Sequence, residues 1–224
     1  MNDYPAYSVV IPAYNATPFI GETIASVMEQ TNPPERIIVV DDGSTDDLST
    51  AIAGLTVPLT LIRQENSGPG SATSRGLALV ETEYLATVDA DDLWLHDKIE
   101  QQFAALLDPN TDMVFTRMDS FGDSVGAAHV NDARSGWSRS TLLMRREAFR
   151  RVGPIEDMPG YCGEMVEWIA RARELGIGIT MLETVLARRR VHKGSLSWER
   201  SPAQDKGYME VVLRALRRRK EADK

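Results

Sequence analysis

The chain has a single cysteine, Cys162, in 224 residues. No intrachain disulfide can form, so the fold must rest on a packed core, and the compartment stays open though consistent with cytosol. Cys162 itself reads as a small buried hydrophobe rather than a nucleophile. Basic residues are in deficit, 25 Lys and Arg against 33 Asp and Glu for a formal charge of −8. That excludes broad nucleic-acid binding through a basic face. No apolar run approaches the ~20 residues of a membrane span. Met1 to Pro5 is polar and lacks the basic start and apolar stretch of a secretory signal. The expected location is the cytoplasm. Glycine-rich phosphate loops are missing too. No stretch reads G-x-G-x-x-G or G-x-x-x-x-G-K-[ST], so neither a dinucleotide site nor a P-loop is expected.

What the chain does have is alternation. Tyr7 to Ile11, Arg36 to Val40, Leu59 to Ile62 and Tyr84 to Val88 are short β-branched or apolar runs. Such runs read as buried strands. Between them, Phe19 to Gln30, a stretch to about Ala53, and Ser71 to Val80 read as helices. Ile20, Ile24, Val27 and Met28 fall on one helical face. Strand and helix in turn imply a parallel sheet with right-handed crossovers, hence an α/β fold. Further on, helices are expected over Asp97 to Leu107, Arg145 to Val152 and Gly163 to Leu175. Strands are expected over Asp112 to Asp119, Ile177 to Leu182 and Val185 to Arg190. Phe121 to Arg139 has no periodicity and reads as a substrate loop. Gln204 to Lys220 is an amphipathic helix ending in Arg217-Arg218-Arg219-Lys220. It suits packing on the domain, on a second copy as a homodimer, or on a membrane surface.

Three of the strands end in polar loops: Pro12-Ala13-Tyr14-Asn15, Asp41-Asp42-Gly43-Ser44 and Asp89-Ala90-Asp91-Asp92. In a parallel sheet these ends share one edge, where open α/β folds place their ligands. Three acids within four positions repel one another and call for a cation. Oxygen donors without sulfur favour a hard ion, Mg2+ or Mn2+. Acids can accept the N–H and O–H groups of a base or ribose, but they hold a diphosphate only through a metal. Asp also caps helices and closes turns, which is the plainer reading of each acid alone.

Val9 to Asn15, Val39 to Ser44 and Val88-Asp89-Ala90-Asp91-Asp92-Leu93-Trp94, in this order and spacing, resemble the family 2 glycosyltransferases. That family has the nucleotide-diphospho-sugar transferase fold called GT-A, a mostly parallel Rossmann-like sheet with helices on both faces. The resemblance runs from about Ser8 to about Ser197. It implies one domain over 1–200, with a nucleotide-binding half to about 110 and an acceptor half beyond, and the amphipathic basic helix over 201–224. It implies a nucleotide-diphospho-sugar donor, UDP-type, and a hydroxyl acceptor on a glycan, lipid or peptide. It further implies transfer by single displacement with inversion at C1.

By the same resemblance Pro12, Ala13 and Tyr14 cradle the base, with Asn15 beside them. Asp42 accepts a base N–H, with Asp41 nearby. Gly68 and Ala90 line the donor, and Asp89 reaches the ribose or the metal. Asp91 is the main ligand of an Mn2+ or Mg2+ ion on the diphosphate, and His192 contacts the metal or the phosphates, with Ser195 or Ser197 as further phosphate contacts. Where the family carries Arg-Asn before its third helix, this chain has Thr73-Ser74. Where it carries Glu-Asp, with Asp as general base, this chain has Glu164-Met165. Methionine cannot accept a proton, so Glu164 and Glu167, three apart on one helical face, are the candidate bases. A donor-binding protein of the same fold that transfers weakly is the alternative. Trp94, Trp137 and Trp168 are candidates for stacking on sugar, with core packing the default for Trp168.

Overall fold

The computed structural model describes residues 4–122, 133–195, 198 and 202–222. The first half alternates as expected. β1 (Tyr7–Ala13), α1 (Ile20–Met28), β2 (Arg36–Asp41), α2 (Leu48–Ile52), β3 (Leu59–Arg63), α3 (Pro69–Ala78) and β4 (Tyr84–Thr87) follow in order. β1 pairs in parallel with β2 and with β4, and β2 pairs in parallel with β3. Successive side chains of a strand point to opposite faces. Val9 and Ile11 therefore meet Ile20, Ile24 and Val27 of α1 on one side. Val10, Ile38 and Val40 meet Ala72 and Leu77 of α3 on the other. Both faces are covered, which is why β1 and β2 are apolar almost throughout. Each such buried Val or Ile is worth about 2 kcal/mol of transfer free energy.

The second half is mixed. β5 (Leu93–Trp94), α4 (Lys98–Ala105), β6 (Met113–Phe121), β7 (Arg134–Ser135) and β8 (Leu143–Arg145) come next, then α5 (Arg146–Val152), α6 (Glu164–Glu174), β9 (Ile179–Arg190) and α7 (Pro202–Ala222). The sheet runs β3-β2-β1-β4-β8-β6-β9-β5, with β7 against β6. β8 is antiparallel to both β4 and β6, and β5 is antiparallel to β9. The two strands expected over 177–190 are one strand, β9. Its polar Glu183 and Thr184 are absorbed by register shifts against Thr116 to Met118 of β6 rather than by a turn. Glu183 pairs with Arg117 at that point. Of the expected loop over 121–139, residues 123–132 lie outside the described ones, and Arg134 and Ser135 pair as a strand. Cys162 is half-buried.

α7 packs on the body through Val211 and through Gly207, where an added Cβ would meet the carbonyls of Pro159 and Cys162. Its other face leaves Met209, Val212, Leu213 and Leu216 exposed. Among the described residues no helix is long and apolar enough to cross a membrane.

Gly76 fixes how closely α3 approaches the sheet. A Cβ there would run into the Val10 side chain and come 3.0 Å from Val40 Cγ2. Gly76→Ala should cost about 1–3 kcal/mol of stability in denaturant titration. Lys98 is a second singular feature. It is fully buried, its Nζ 2.7 Å from Gln102 Oε1 and 4.0 Å above the Trp94 ring, with no acid paired to it among the described residues. Burial holds its pKa well below 10.5. Between that lowered value and 10.5 the unfolded state binds the extra proton, and there Lys98 makes stability climb as pH rises. Lys98→Met should flatten that slope and raise Tm at pH 7 by roughly 2–4 °C, the equivalent of about 1 kcal/mol.

Candidate active site

The loops after β1, β2 and β4 leave the sheet side by side. Ala13 stands opposite Asp41, and Val10 opposite Thr87. With strands about 4.8 Å apart, the two acidic loops start roughly 10 Å from each other with the Pro12 to Asn15 loop between them. Pro12 and Ala13 are buried strand ends, whereas Tyr14 is 52% exposed. Asn15 has φ +51°, a conformation asparagine tolerates better than most residues. Its Oδ1 accepts from Thr45 N at 2.8 Å and Thr45 Oγ1 at 3.1 Å, and its own N–H donates to Ser44 Oγ at 3.0 Å. The first loop is thereby fastened to the second.

Asp41 and Asp42 part company. Asp41 accepts from Ser44 N at 2.8 Å and pairs with Arg63 at 3.0 Å, so it builds the turn. Asp42 turns to the loop before α3. Its Oδ1 accepts from Gln64 Nε2 at 2.7 Å and Ser67 N at 2.9 Å, and its Oδ2 from Gly68 N at 2.9 Å. Three of about four acceptor positions are filled, leaving one. Gly68, at φ +99°, could carry no side chain, because a Cβ would lie 2.6 Å from both Asp157 and Tyr161. Asp157 caps α3 from far along the chain, accepting from Gly70 N at 2.8 Å and Ser71 N at 2.7 Å. Burial pushes its carboxyl up, and those two N–H groups pull it back.

The third loop concentrates the charge. Asp92 is buried, its Oδ2 accepting from Ser140 Oγ at 2.5 Å and its Oδ1 from Arg190 N at 2.9 Å. Burial, then Asp91 and Asp89, drive its pKa well above the usual carboxylate range. Asp91 is raised for the same reasons, with His192 opposing. His192 Nε2 lies 3.0 Å from Asp91 Oδ2, and its ring centroid is 4.4 Å from that of Phe19. Its Nδ1 accepts from Gly194 N at 3.1 Å. In the neutral ring the proton therefore sits on Nε2 and is donated to Asp91. His192 thus orients Asp91, and ligation through Nε2 would require the tautomer that Gly194 disfavours. Ser195 Oγ accepts from His192 N. Ser197 lies outside the described residues. Arg190 passes above, its Nε donating to Asp91 O at 2.9 Å.

Asp89 is held by a residue that sequence reasoning missed. Arg139 Nε donates to Asp89 Oδ1 at 2.7 Å, and Arg139 Nη1 to Glu164 Oε1 at 2.7 Å. Burial works against its charge, but Asp89 and Glu164 more than compensate and raise its pKa. It sits in a stretch without periodicity, so nothing in the sequence marked it. Asp157, in a Pro- and Gly-containing loop, was equally silent. Together they close a rim: Asp42, Gly68, the start of α3, Asp157, Glu164, Arg139, Asp89, Asp91, His192.

The two candidate bases are separated. Glu164 faces this rim through Arg139. Glu167 is buried at the junction of α6 and α7, bonded to Arg218 and 3.7 Å from Arg171. Met165, between them, is packed in the core. Thr73 Oγ1 donates to the Pro69 carbonyl within α3, and Ser74 Oγ accepts from Ile155 N at 2.7 Å, so both serve packing. Trp94 and Trp168 are structural as well. Trp168 Nε1 donates to Gly153 O and Trp94 Nε1 to Ser140 O, both rings being buried. Trp137 lies between Phe115 and Arg173. Buried indoles such as those of Trp94 and Trp168 add apolar area to the core and satisfy their N–H on a carbonyl.

As a metal site the donor set is small. Among the described residues, no three His, Cys, Asp or Glu side chains are gathered for an ion. One or two carboxylates fit a hard cation whose coordination is completed by phosphate oxygens and water, as Mg2+ commonly is held, but not a protein-only site.

These features define an α/β chain of the GT-A fold. Residues 8–170 match the family model for glycosyl transferase family 2, and the chain belongs to that family. It is 34% identical over 116 residues to the putative teichuronic acid biosynthesis glycosyltransferase TuaG of Bacillus subtilis, an alignment covering 50% of this chain and 46% of TuaG. The chain thus spans less than half of that relative's length. Its fold is similar to S. aureus TarS 1–349 in complex with UDP-GlcNAc, with TM-score 0.70 and 22% identity over 88% of this chain and 62% of that one. It is also similar to the mannosyltransferase PcManGT of Pyrobaculum calidifontis in complex with GDP-Man and Mn2+, with TM-score 0.73 and 20% identity over 96% of this chain and 65% of that one.

The separation of the two acids has a measurable consequence. Glu167→Gln should lower stability by about 1–3 kcal/mol in urea melts, because Arg218 and Arg171 lose their charged partner. It should leave nucleotide affinity unchanged.

Proposed function

We propose that the chain transfers a sugar from a nucleotide-diphosphate donor, UDP-linked, to a hydroxyl acceptor, inverting at C1 with Mn2+ or Mg2+ present. The observation that carries this reading is the shared rim: the base-side loop, the Asp42 loop and the Asp89 to Asp92 loop border one edge, joined through Asp157, Glu164 and Arg139. Tyr14, with Pro12 and Ala13, flanks the base. Asp42 has one acceptor position left for a base N–H. Asp91, oriented by His192, is the ligand for the ion, and Asp89 stands beside it. The ion, when bound, supplies neutralisation of the leaving diphosphate as a Lewis acid. The neighbours solved with UDP-GlcNAc and with GDP-Man and Mn2+ support a donor of this class.

In the displacement the acceptor oxygen forms its bond to C1 as the bond from C1 to the diphosphate oxygen breaks. The hydroxyl proton passes to a carboxylate, and on this reading that role falls to Glu164, the acid of α6 that meets the rim through Arg139. A second reading keeps the donor site and weakens the transfer. It rests on Met165, packed in the core beside a Glu164 that is already bonded to Arg139. Turnover of UDP-sugars with varied acceptors separates the two, since donor binding without transfer or hydrolysis favours the second.

UDP with Mn2+ should raise Tm, because a ligand bound only by the folded state stabilises it. Asp91→Ala should abolish the Mn2+-dependent part of that rise. An undiminished rise in the variant places the metal elsewhere.

A further inference from the structure

The acid cluster already contains a cation. Arg139 is buried, its side chain only 9% exposed, between Asp89 and Glu164. Its backbone is nailed in place. Thr87 Oγ1 donates to Arg139 O at 2.7 Å, Trp94 Nε1 to Ser140 O at 2.7 Å, Gln102 Nε2 to Thr141 O at 2.7 Å, and Asp89 N to Ser140 Oγ at 3.1 Å. The guanidinium uses two different edges. Nε and Nη2 address Asp89, at 2.7 and 3.4 Å, while Nη1 addresses Glu164 at 2.7 Å.

That division matters because Asp89 lies two residues from Asp91. A divalent ion drawn to these carboxylates meets a guanidinium already in the same negative field, and like charges at this separation oppose each other strongly where water is scarce. Ion binding at these carboxylates therefore competes with the Arg139–Asp89 pair. A released Nε–Nη2 edge is the planar fork that matches phosphate oxygens. Nη1, still on Glu164, keeps the freed edge at the rim.

We propose that Arg139 is an exchange cation: it neutralises Asp89 when no ion is bound and gives its Nε–Nη2 fork to the donor diphosphate when an ion takes the acids. This rests on the donor-site reading above. Arg139 then opposes the ion alone and favours the ion together with a diphosphate, so it couples the two ligands. Coupling of this kind is reciprocal and spans about 5–150-fold.

The test is titration calorimetry of Mn2+ alone, of UDP alone, and of UDP with saturating Mn2+, on the wild type, Arg139→Met and Arg139→Lys. In Arg139→Met, Mn2+ alone should bind more tightly, by about fivefold or more, and UDP with Mn2+ more weakly, by about tenfold. The enhancement of UDP affinity by Mn2+ therefore collapses. Arg139→Lys keeps the charge without the fork, so Mn2+ affinity stays near wild type and UDP with Mn2+ still weakens. If Arg139→Met does not fold, the lysine variant decides, and unchanged UDP affinity there overturns the proposal. Both affinities moving together, or neither moving, in a folded Arg139→Met also overturns it. A wild type that binds Mn2+ but no nucleoside diphosphate sinks the donor site as well, whereas a wild type that binds both while the variants change nothing sinks the role of Arg139 alone.

Discussion

Crowding of Asp89, Asp91 and Asp92 at the end of β4 is the constraint to which the surrounding structure answers. Three carboxylates this close cannot all stand ionised without compensation. Each has been given a different partner from a distant part of the chain: Arg139 for Asp89, His192 for Asp91, and Ser140 with the Arg190 backbone for Asp92. Those partners come from the 139–141 turn and from the end of β9, so the second half of the chain is held to the first by what the acids require. The long β9 strand beside β6 and β5 delivers Arg190 and His192 to that place.

A second layer of order comes from α3. Its start has no cap of its own. Asp42 takes the N–H of Gly68, and Asp157 takes those of Gly70 and Ser71. The loop before α3 is therefore suspended between two carboxylates, one from each half of the molecule. Gly68 allows the close approach, and Gly76 seats the helix on β1 and β2. Thr73 and Ser74 fit this scheme as packing residues, their hydroxyls turned to the Pro69 carbonyl and to Ile155.

The sheet edge was legible in the sequence because its physics is local. Strands covered on both faces read as unbroken β-branched runs, and the switch to acid marks where each one ends. The family resemblance, carried by those same three loops, is matched over residues 8–170. The mixed pairing of β4, β8 and β6 was not legible, since three-residue strands such as Leu143–Arg145 carry too little pattern. Nor was β9 as one strand, because Glu183 and Thr184 look like a turn until the register shift opposite Arg117 is seen. Arg139 and Asp157 escaped for a different reason. Their roles depend on partners tens of residues away, and no local period encodes such a pairing. Glu164 and Glu167 share a helix face in the sequence, yet α7 claims one of them, which only tertiary contact could reveal.

Asn15 ties the loop after β1 to the loop after β2, its Oδ1 accepting from Thr45 N and its backbone N–H donating to Ser44 Oγ. That wall is braced by its own hydrogen bonds. The opposite wall holds Arg139 in a bonded pair with Asp89, the pair that the proposed exchange opens. On the proposed donor reading, the two walls of the site differ in kind: one needs no rearrangement to receive a ring, and the other has an ion pair to exchange before a diphosphate can seat.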